Sequence, residues 1–362
     1  MAKIKKISLT DFRNFSNLKI TFKKKSNIFF GKNGSGKTNL LEAISLISKG
    51  RGLRNSQFKN LINKNKKKFT IESSLEIKKN DYDIKIYTDY SDTKYKKIIL
   101  VNEDNSKENL DFLYSSISFL FFLPEMERLF QSSPTTRRNF IDRLIFSRES
   151  KYNKLINKYK KNILERNKIL QENLFDDSWL SAIENEISNI GLQIYELRNT
   201  QVQDLNKFIN ILNLSNNYPF KISLKIIDDF YNPNMTIETY LTNLLDSRQF
   251  DKKFGGTKIG PHKSDIIAKI DNEYDASLLS TGQQKTVVLM ILLAQCKFLV
   301  EIKKIEPVVL LDEICSHLDS ENRKILLDMI NHFDIQFFLT GTEKTLFSFI
   351  STNVQFYNIT DQ

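Results

Sequence analysis

Apolar residues in this chain follow two rhythms, and the change between them divides it. From residue 1 to about 122, short runs recur in which apolar and polar positions alternate: KIKKISLTDF, LKITF, FTIESSLEI, YDIKIYTDY and KKIILVNE, with SISFLFFL closing the series. A period of two is the pattern of half-buried antiparallel strands. After residue 219, FKISLKII returns to strand. Two later runs, PVVLLD (307–312) and IQFFLT (335–340), are apolar without alternation, as strands covered on both faces are.

Between these flanks the rhythm lengthens. Of 11 glycines only Gly191 falls between Pro134 and Pro219, and no proline lies between those two. Glycine and proline break helices most strongly, so the stretch reads as helix. Within it Leu180, Ile183, Ile187, Ile190, Ile194 and Leu197 step by threes and fours, an apolar seam. Tyr152, Leu155, Tyr159 and Ile163 make a similar stripe upstream, and between the two LFDDSWL offers Asp177 or Ser178 as a helix cap. The predicted element is an antiparallel hairpin of two helices, about 30 residues a side and about 45 Å long. Two helices of a compact bundle are the alternative. The expected division is an N-terminal lobe over 1–123, a mostly helical arm over 124–250, and a C-terminal lobe over 251–362.

Composition narrows the class. With 362 residues, 40% hydrophobic and 27% charged, the chain can bury one large or two modest cores. Its apolar runs, such as VVLMILLA (287–294), are far too short for a bilayer, which takes about 20 residues. The opening MAKIKKISLTDF lacks the apolar core of a signal peptide. The cysteines, Cys296 and Cys315, have no CxxC spacing, and His317 alone beside Cys315 supplies too few ligands, which argues against a disulfide framework or zinc site. A cytoplasmic protein is expected. Lys and Arg number 54 against 43 Asp and Glu, a net charge of +11. That fits a polyanion partner, most simply nucleic acid, although a chain rich in Lys, Asn and Ile throughout would show the same excess. Runs such as FKKKS (22–26) and NKNKKKF (63–69) read as solvated turns.

Candidate chemistry begins at FFGKNGSGKTNLLEAI (29–44), where Gly31, Lys32, Asn33, Gly34, Ser35, Gly36, Lys37 and Thr38 form the G-x-x-x-x-G-K-[ST] phosphate loop between a strand and a helix. Its glycines let backbone amides close on phosphate oxygens, Lys37 reaches the β- and γ-phosphates, and Thr38 is the Mg²⁺ ligand of the pattern. Some 270 residues on, a buried strand ends in Asp312 and Glu313. Adjacent acids at the end of a core strand are expensive unless they serve chemistry. The first suits Mg²⁺, held through water, and the second suits orienting or deprotonating the attacking water. Upstream, Ser280-x-Gly282-Gln283 opens a strongly apolar helix, either a second anion site or simply an N-cap. Arg137, Arg138, Arg143 and Arg148 cluster at the base of the predicted arm, and Lys151, Lys154, Lys158 and Lys161 recur on one helical face. These are candidates for sequence-independent DNA phosphate contacts. Equally, the lysines are the solvated face of an amphipathic helix, and Arg137 or Arg138 pairs with acids of the head.

Phosphate loop, Ser-x-Gly-Gln, strand-Asp-Glu and then SHLD (316–319) occur in the order of ATP-binding-cassette ATPases. The resemblance implies an α/β fold: a P-loop ATPase head with a mixed β-sheet, an antiparallel β-subdomain, helices on both sides and an inserted α-helical arm. It also implies that Ser280, Gly282 and Gln283 of one copy cover the γ-phosphate held by another, so that ATP joins two heads. A head with a helical arm resembles the SMC class of chromosome-maintenance ATPases. LTDFRNFSNLKITF (9–22), PEMERLFQSSPTTRRNFID (124–142), GPHKSD (260–265) and LLDEICSHLDSENRKIL (310–326) are similar to the RecF family of bacterial recombination mediators. Ser132 stands where that family usually has Gly, Glu313 where many members have Asp, and His317 replaces a common acid. Thr340-Gly341-Thr342 takes the place of the histidine that many cassette ATPases carry, which argues against fast hydrolysis. The resemblance implies a weak, DNA-stimulated ATPase of replication-linked repair, with ATP and Mg²⁺ as cofactors and an ATP-dependent homodimer. It would engage single-strand/double-strand DNA junctions and help RecR and RecO load RecA. An SMC-like structural clamp and a transporter's cassette subunit are the rival readings. A small-molecule kinase would leave the Ser-x-Gly-Gln helix unexplained.

Overall fold

A computed structural model describes residues 2–91, 94–172, 177–216, 220–316 and 319–359. Chain contacts separate two compact units, residues 1–127 with 281–362 and residues 128–280. No helix among the described residues is long and apolar enough to cross a membrane.

The first unit holds two sheets. The alternating runs become β1 (Ala2–Phe12), β2 (Phe15–Thr21), β4 (Thr70–Ile77), β5 (Asn80–Ser91) and β6 (Lys94–Val101), following β3 (Ser26–Phe30) and α1 (Lys37–Ser45) where the chain leaves this sheet. They form an antiparallel sheet in the order β2-β1-β4-β5-β6. After α2 (Lys107–Ser116) comes β7 (Ser118–Phe122). The non-alternating runs become β11 (Pro307–Leu311) and β12 (Phe337–Gly341), and β13 (Val354–Asn358) follows. With β3 and β7 these make a parallel sheet in the order β13-β3-β12-β11-β7. Every residue of β11 and β12 is buried, which explains the missing alternation. The same logic makes α8 (Thr281–Phe298) apolar on all sides, since Val287 through Ala294 are all buried. It packs on α9 (Ser320–His332). The two sheets are tied at Gln336, whose amide accepts from the Ile4 N–H and donates to its carbonyl, both at 2.9 Å.

The second unit is helical with a small sheet. It contains α3 (Pro134–Arg148), α4 (Tyr152–Glu172), α5 (Asp177–Asn216), β8 (Ile222–Ile227), α6 (Ile237–Asp246), α7 (Arg248–Phe254), β9 (Asp265–Ile270) and β10 (Tyr274–Asp275). Ser133 caps α3 with Pro134 in the first turn. The apolar seams pair α4 with α5 as expected, burying Tyr152, Tyr159 and Ile163 with Leu180, Ile187 and Ile194. The lengths differ from the expected 30 a side: α4 has 21 residues and α5 has 40. The extra length of α5 is used inside the unit, against β8, α6 and α3. The two helices of the expected hairpin thus pair with each other, and α5 packs in addition on the rest of its unit. Asp177 lies in the first turn of α5, and residues 173–176 of the proposed cap segment lie outside the described residues. The unit also runs past residue 250, the expected end of the arm, to Ser280. The reason is pairing: β9 is antiparallel to β8 from Ile222↔Ile270 to Ile227↔Asp265.

A charged core, not only an apolar one, holds this unit. Arg166 is fully buried on the α4 seam. It donates to Glu184 Oε1 at 2.9 Å, Asp251 Oδ2 at 2.7 Å, Thr257 Oγ1 at 2.8 Å and the Leu244 carbonyl at 2.8 Å. Arg198 is matched to Asp142, with two bonds of 2.9 Å, and to Ser264 Oγ at 3.1 Å. A buried guanidinium is tolerated when its fork is filled in this way. GPHKSD belongs to this core. A Cβ on Gly260 would lie 2.2 Å from the Tyr240 hydroxyl and 2.3 Å from that of Tyr159. His262 Nδ1 sits 2.8 Å from the same Tyr159 hydroxyl.

Candidate functional site

The loop 31–38 joins the carboxyl end of β3 to the amino end of α1. Gly36 is the N-cap at φ 107°, a left-handed backbone that favours glycine. A Cβ there would come within 2.5 Å of Asn14 and 2.7 Å of Phe15. Asn14 braces the loop in return, donating to the Ser35 carbonyl at 3.0 Å. No side chain caps α1, and no acid stands in its first turn, so its leading amides face outward without an internal anion. Among the described residues, the buried Ser35 hydroxyl has no hydrogen-bond partner. An uncapped helix start, a cradle closed to any side chain at Gly36 and an orphaned hydroxyl are together the fittings of a phosphate site.

Lys37 folds over this cradle, its Nζ donating to the carbonyls of Gly31 at 2.8 Å and Lys32 at 3.0 Å. Burial lowers its pKa, and the nearby carboxylates of Glu313 and Asp312 oppose that shift. Thr38 Oγ1 donates to Asp312 Oδ1 at 2.9 Å, a contact across 274 positions of sequence. Asp312 is buried at the end of β11 and its pKa is raised by desolvation, with bonds from Thr340 and Thr38 pulling it back. Two hard oxygen donors side by side at a phosphate cradle suit Mg²⁺. Glu313 follows with φ 47°, a left-handed backbone worth about 1–3 kcal/mol of strain in a residue with a Cβ. Its amide is held at 2.7 Å by Thr340 Oγ1, the hydroxyl that also donates to Asp312 Oδ1.

Lys37, Thr38, Asp312 and Glu313 are thus brought together. Ser280 immediately precedes α8, and Gly282 and Gln283 lie in its first turn. The Gly282 carbonyl accepts from Asn322 Nδ2 at 3.4 Å and from Thr286 Oγ1 at 3.2 Å. Farther along α8, buried Lys285 binds Glu127 at 2.8 Å and the Ser316 carbonyl at 2.9 Å, pinning the helix to the segment that follows Glu313. His317 and Leu318 of the SHLD run lie outside the described residues, while Asp319 caps α9 through the Asn322 amide at 2.8 Å.

Two contributors escaped sequence reading. Asn14 sits in the LTDFRNF run with nothing to mark its side chain as a loop brace. Arg54, in the GRGLR segment after α1, is close enough to Asp312 to stabilise its carboxylate. Two arginines flanking glycine and leucine beside a phosphate loop were the available signal.

The arginines expected at DNA are engaged within the second unit. Arg137 forms a two-bond fork with Asp265, at 2.8 and 2.6 Å, and donates to the carbonyls of Phe130 and Ser132. Arg138 donates to the Ser264 carbonyl at 2.7 Å, and Arg148 to Asp204 at 2.6 Å. Arg137 thus pairs with an acid, whose carboxylate its fork geometry matches, but that acid lies in the second unit and not in the unit that carries the phosphate loop. On α4, Lys158 pairs with Glu186 while Lys154 and Lys161 are exposed, as is Lys151 just before the helix.

The family model described as RecF/RecN/SMC N terminal domain matches residues 3–362. The DNA replication and repair protein RecF of Rickettsia typhi is 34% identical over 346 residues, covering 93% of each chain. A solved structure of the recombination mediator protein RecF-ATPrS in the RecFOR pathway superposes with a TM-score of 0.84 and 26% identity, covering 99% of this chain and 97% of that one. The Smc head domain of Pyrococcus furiosus, solved with an extended coiled coil and bound to the C-terminal domain of ScpA, shares the fold at a TM-score of 0.53. Its identity is 22%, with 96% of this chain and 92% of that one covered. With the sequence matched nearly end to end and the fold matched over almost every residue, the chain belongs to the RecF family.

Proposed function

We propose that this chain is an ATP-switched, DNA-binding recombination mediator of replication and repair. The observation that carries the reading is the Thr38–Asp312 hydrogen bond beside Lys37. It joins the two halves of a nucleotide site in a chain whose relatives are named DNA replication and repair proteins. Lys37 exchanges its loop carbonyls for the β- and γ-phosphates of ATP, and the amides of Gly34, Gly36 and Thr38 cradle them. Thr38 and Asp312 hold Mg²⁺. The metal, when bound, neutralises charge on the phosphates. Glu313, aimed by its left-handed backbone, orients the attacking water and accepts its proton. With Thr340 where a histidine would otherwise help, hydrolysis is slow and serves as a reset.

Ser280, Gly282 and Gln283 of one copy complete the site of a second, so ATP closes a homodimer. The closed pair engages duplex DNA at single-strand boundaries, with Lys151, Lys154 and Lys161 contacting phosphates, and acts with RecR and RecO in loading RecA. Sedimentation of the Glu313→Gln chain with and without ATP and gapped duplex tests the switch. A dimer that needs ATP and carries the DNA is the expected result. A monomer under every condition refutes the reading.

A further inference from the structure

FKKKS reads from sequence as a solvated turn, but the fold makes something else of it. The turn between β2 and β3 meets the start of β1 and the approach to β12, and Lys3, Lys5, Lys23, Lys24 and Lys25 line one pocket with Asp334. Its volume is about 240 Å³, and Ile4, Phe22 and Ile335 share the lining with Gln336 and Asn353. Lys5 is already neutralised by Glu76 at 2.9 Å and Asp81 at 2.7 Å. Of the lining residues, that leaves four ammonium groups against Asp334.

Such a concentration of like charge costs free energy unless something anionic answers it. Lys25 is half-buried: burial lowers its pKa, Asp334 opposes that shift, and Lys3 adds a smaller lowering. Its Nζ donates to the Ile330 carbonyl. The backbone presenting these lysines is fixed on every side. The Lys23 amide donates to Gln355 Oε1 and the Lys25 amide to Asn353 Oδ1, each at 3.2 Å. The Phe22 amide donates to the Lys5 carbonyl, and the Lys25 carbonyl accepts from the Phe337 amide, both at 2.8 Å. A turn that only keeps the chain in solution needs none of this. The pocket is also separate from the nucleotide loop. It lies at the amino ends of the parallel strands, whereas Gly31 follows their carboxyl ends, about 20 Å away along β3 at ~3.3 Å per residue.

We infer that this pocket is a second polyanion site, which seats the phosphodiester backbone of nucleic acid on the side of the parallel sheet away from ATP. Lysines suit that ligand: compact charges on flexible stems follow a phosphate chain without reading bases. The flanking Lys23 and Lys24, both exposed, reach phosphates beside the one seated in the pocket. The inference rests on the DNA-binding reading above and adds where the strand runs.

The test uses the full chain with Lys3→Glu, Lys23→Glu and Lys24→Glu combined, and a milder set with Gln at the same positions. Lys5 and Lys25 are left alone because their ammonium groups hold the fold. ATP affinity, read with a fluorescent analogue, is expected to match wild type and serves as the folding control. Duplex affinity, read by anisotropy from about 50 to 200 mM salt, is expected to fall at least tenfold for Glu and less for Gln. The salt slope should drop by about 2–3, at ~0.9 per phosphate contact. Wild-type DNA binding with unchanged affinity and slope in both variants overturns the pocket and leaves the functional reading standing. No DNA binding by wild type, with or without ATP, overturns both. Displacement of duplex by poly-glutamate at lower charge concentration than by competing duplex also overturns the nucleic-acid assignment, in favour of an acidic peptide. If even the Gln variant loses ATP binding, acetylation footprinting of wild type decides: protection of Lys23 and Lys24 by DNA supports the site, and its absence overturns it.

Discussion

The Thr340 hydroxyl donates to Asp312 Oδ1 at 2.7 Å and at the same time accepts the Glu313 amide at 2.7 Å. One side chain on β12 thus holds both acids that end β11. Parallel pairing of Leu311 with Leu339 sets the register that makes this possible.

Replacing Thr340 with Val keeps the volume and removes the hydroxyl. A hydrogen bond to a charged group contributes about 1.5–3 kcal/mol, so Mg-ATP affinity or turnover is expected to fall tenfold or more. Burial already raises the Asp312 pKa and the Thr340 bond lowers it. Loss of the bond therefore moves protonation of Asp312 to higher pH, and the acid limb of ATP binding shifts upward. Titration of ATP affinity against pH checks this, with Thr340→Ser near wild type. An unshifted limb in Thr340→Val would place Asp312 outside nucleotide binding.

How much of this was legible follows from where each signal lives. Alternation and unbroken apolar runs are local properties, so the strands and the phosphate loop could be read directly. Asp312 and Glu313 stood out because charge at the end of a core strand is anomalous. Thr340 did not, since its role is a contact over 28 positions, and the sequence shows only that a histidine is missing. Arg166 was hidden in another way. It continues the buried stripe Tyr152, Ile156, Tyr159, Ile163, in which Ile156 takes the place expected for the half-buried Leu155, and there a charged residue looks like the end of an apolar face. The hairpin turn at Lys78-Lys79 carries no Asn-Gly signal, yet both residues adopt positive φ, 51° and 70°.

The exposed lysines on and just before α4 and the engaged Arg137 should behave oppositely. Lys151→Glu, Lys154→Glu and Lys161→Glu together are expected to lower duplex affinity and reduce the salt slope by up to about 3. Arg137→Gln is expected to leave DNA affinity within about twofold. Its cost is to stability, on the order of 2 kcal/mol, because the Asp265 carboxylate loses its fork. Anisotropy and urea unfolding on the same preparations separate the two effects. A DNA defect in Arg137→Gln without loss of stability would restore that residue to the interface.

His262 makes the fold sensitive to acid. Its Nε2 faces the Thr257 carbonyl at 2.9 Å and Nδ1 faces the Tyr159 hydroxyl, an arrangement that suits the neutral ring. Desolvation, with Lys263, Arg138 and Arg198 nearby, lowers its pKa from 6.5 to about 4. The unfolded chain therefore binds a proton below about pH 6.5 that the folded chain refuses until about pH 4. Stability is complete above pH 6.5 and declines as pH falls through that window, by as much as about 3 kcal/mol. Urea unfolding from pH 7 to 4 should show this decline in wild type and a flatter one in His262→Gln. Equal slopes would remove His262 as the cause.

Arg166 offers the sharpest separation between a charge that binds and a charge that holds. Its carboxylate partners Glu184 and Asp251 have fully buried side chains. Glu184 keeps a second cation in Arg248, at 2.6 Å. Asp251 keeps only neutral donors among its other recorded partners, Ser247 Oγ at 2.8 Å and the Lys258 amide at 3.1 Å. Arg166→Met fills the volume but strands a charge at Asp251, so a loss of about 3–5 kcal/mol is expected. Adding Asp251→Asn removes that charge, and the double variant should be more stable than Arg166→Met alone. The sign of this coupling is the check, read by urea unfolding with ATP affinity as the control. Two losses that simply add would mean that Arg166 packs without pairing. Because Arg166 lies in α4 and Asp251 in α7, the coupling reports the ion pair that joins these two helices.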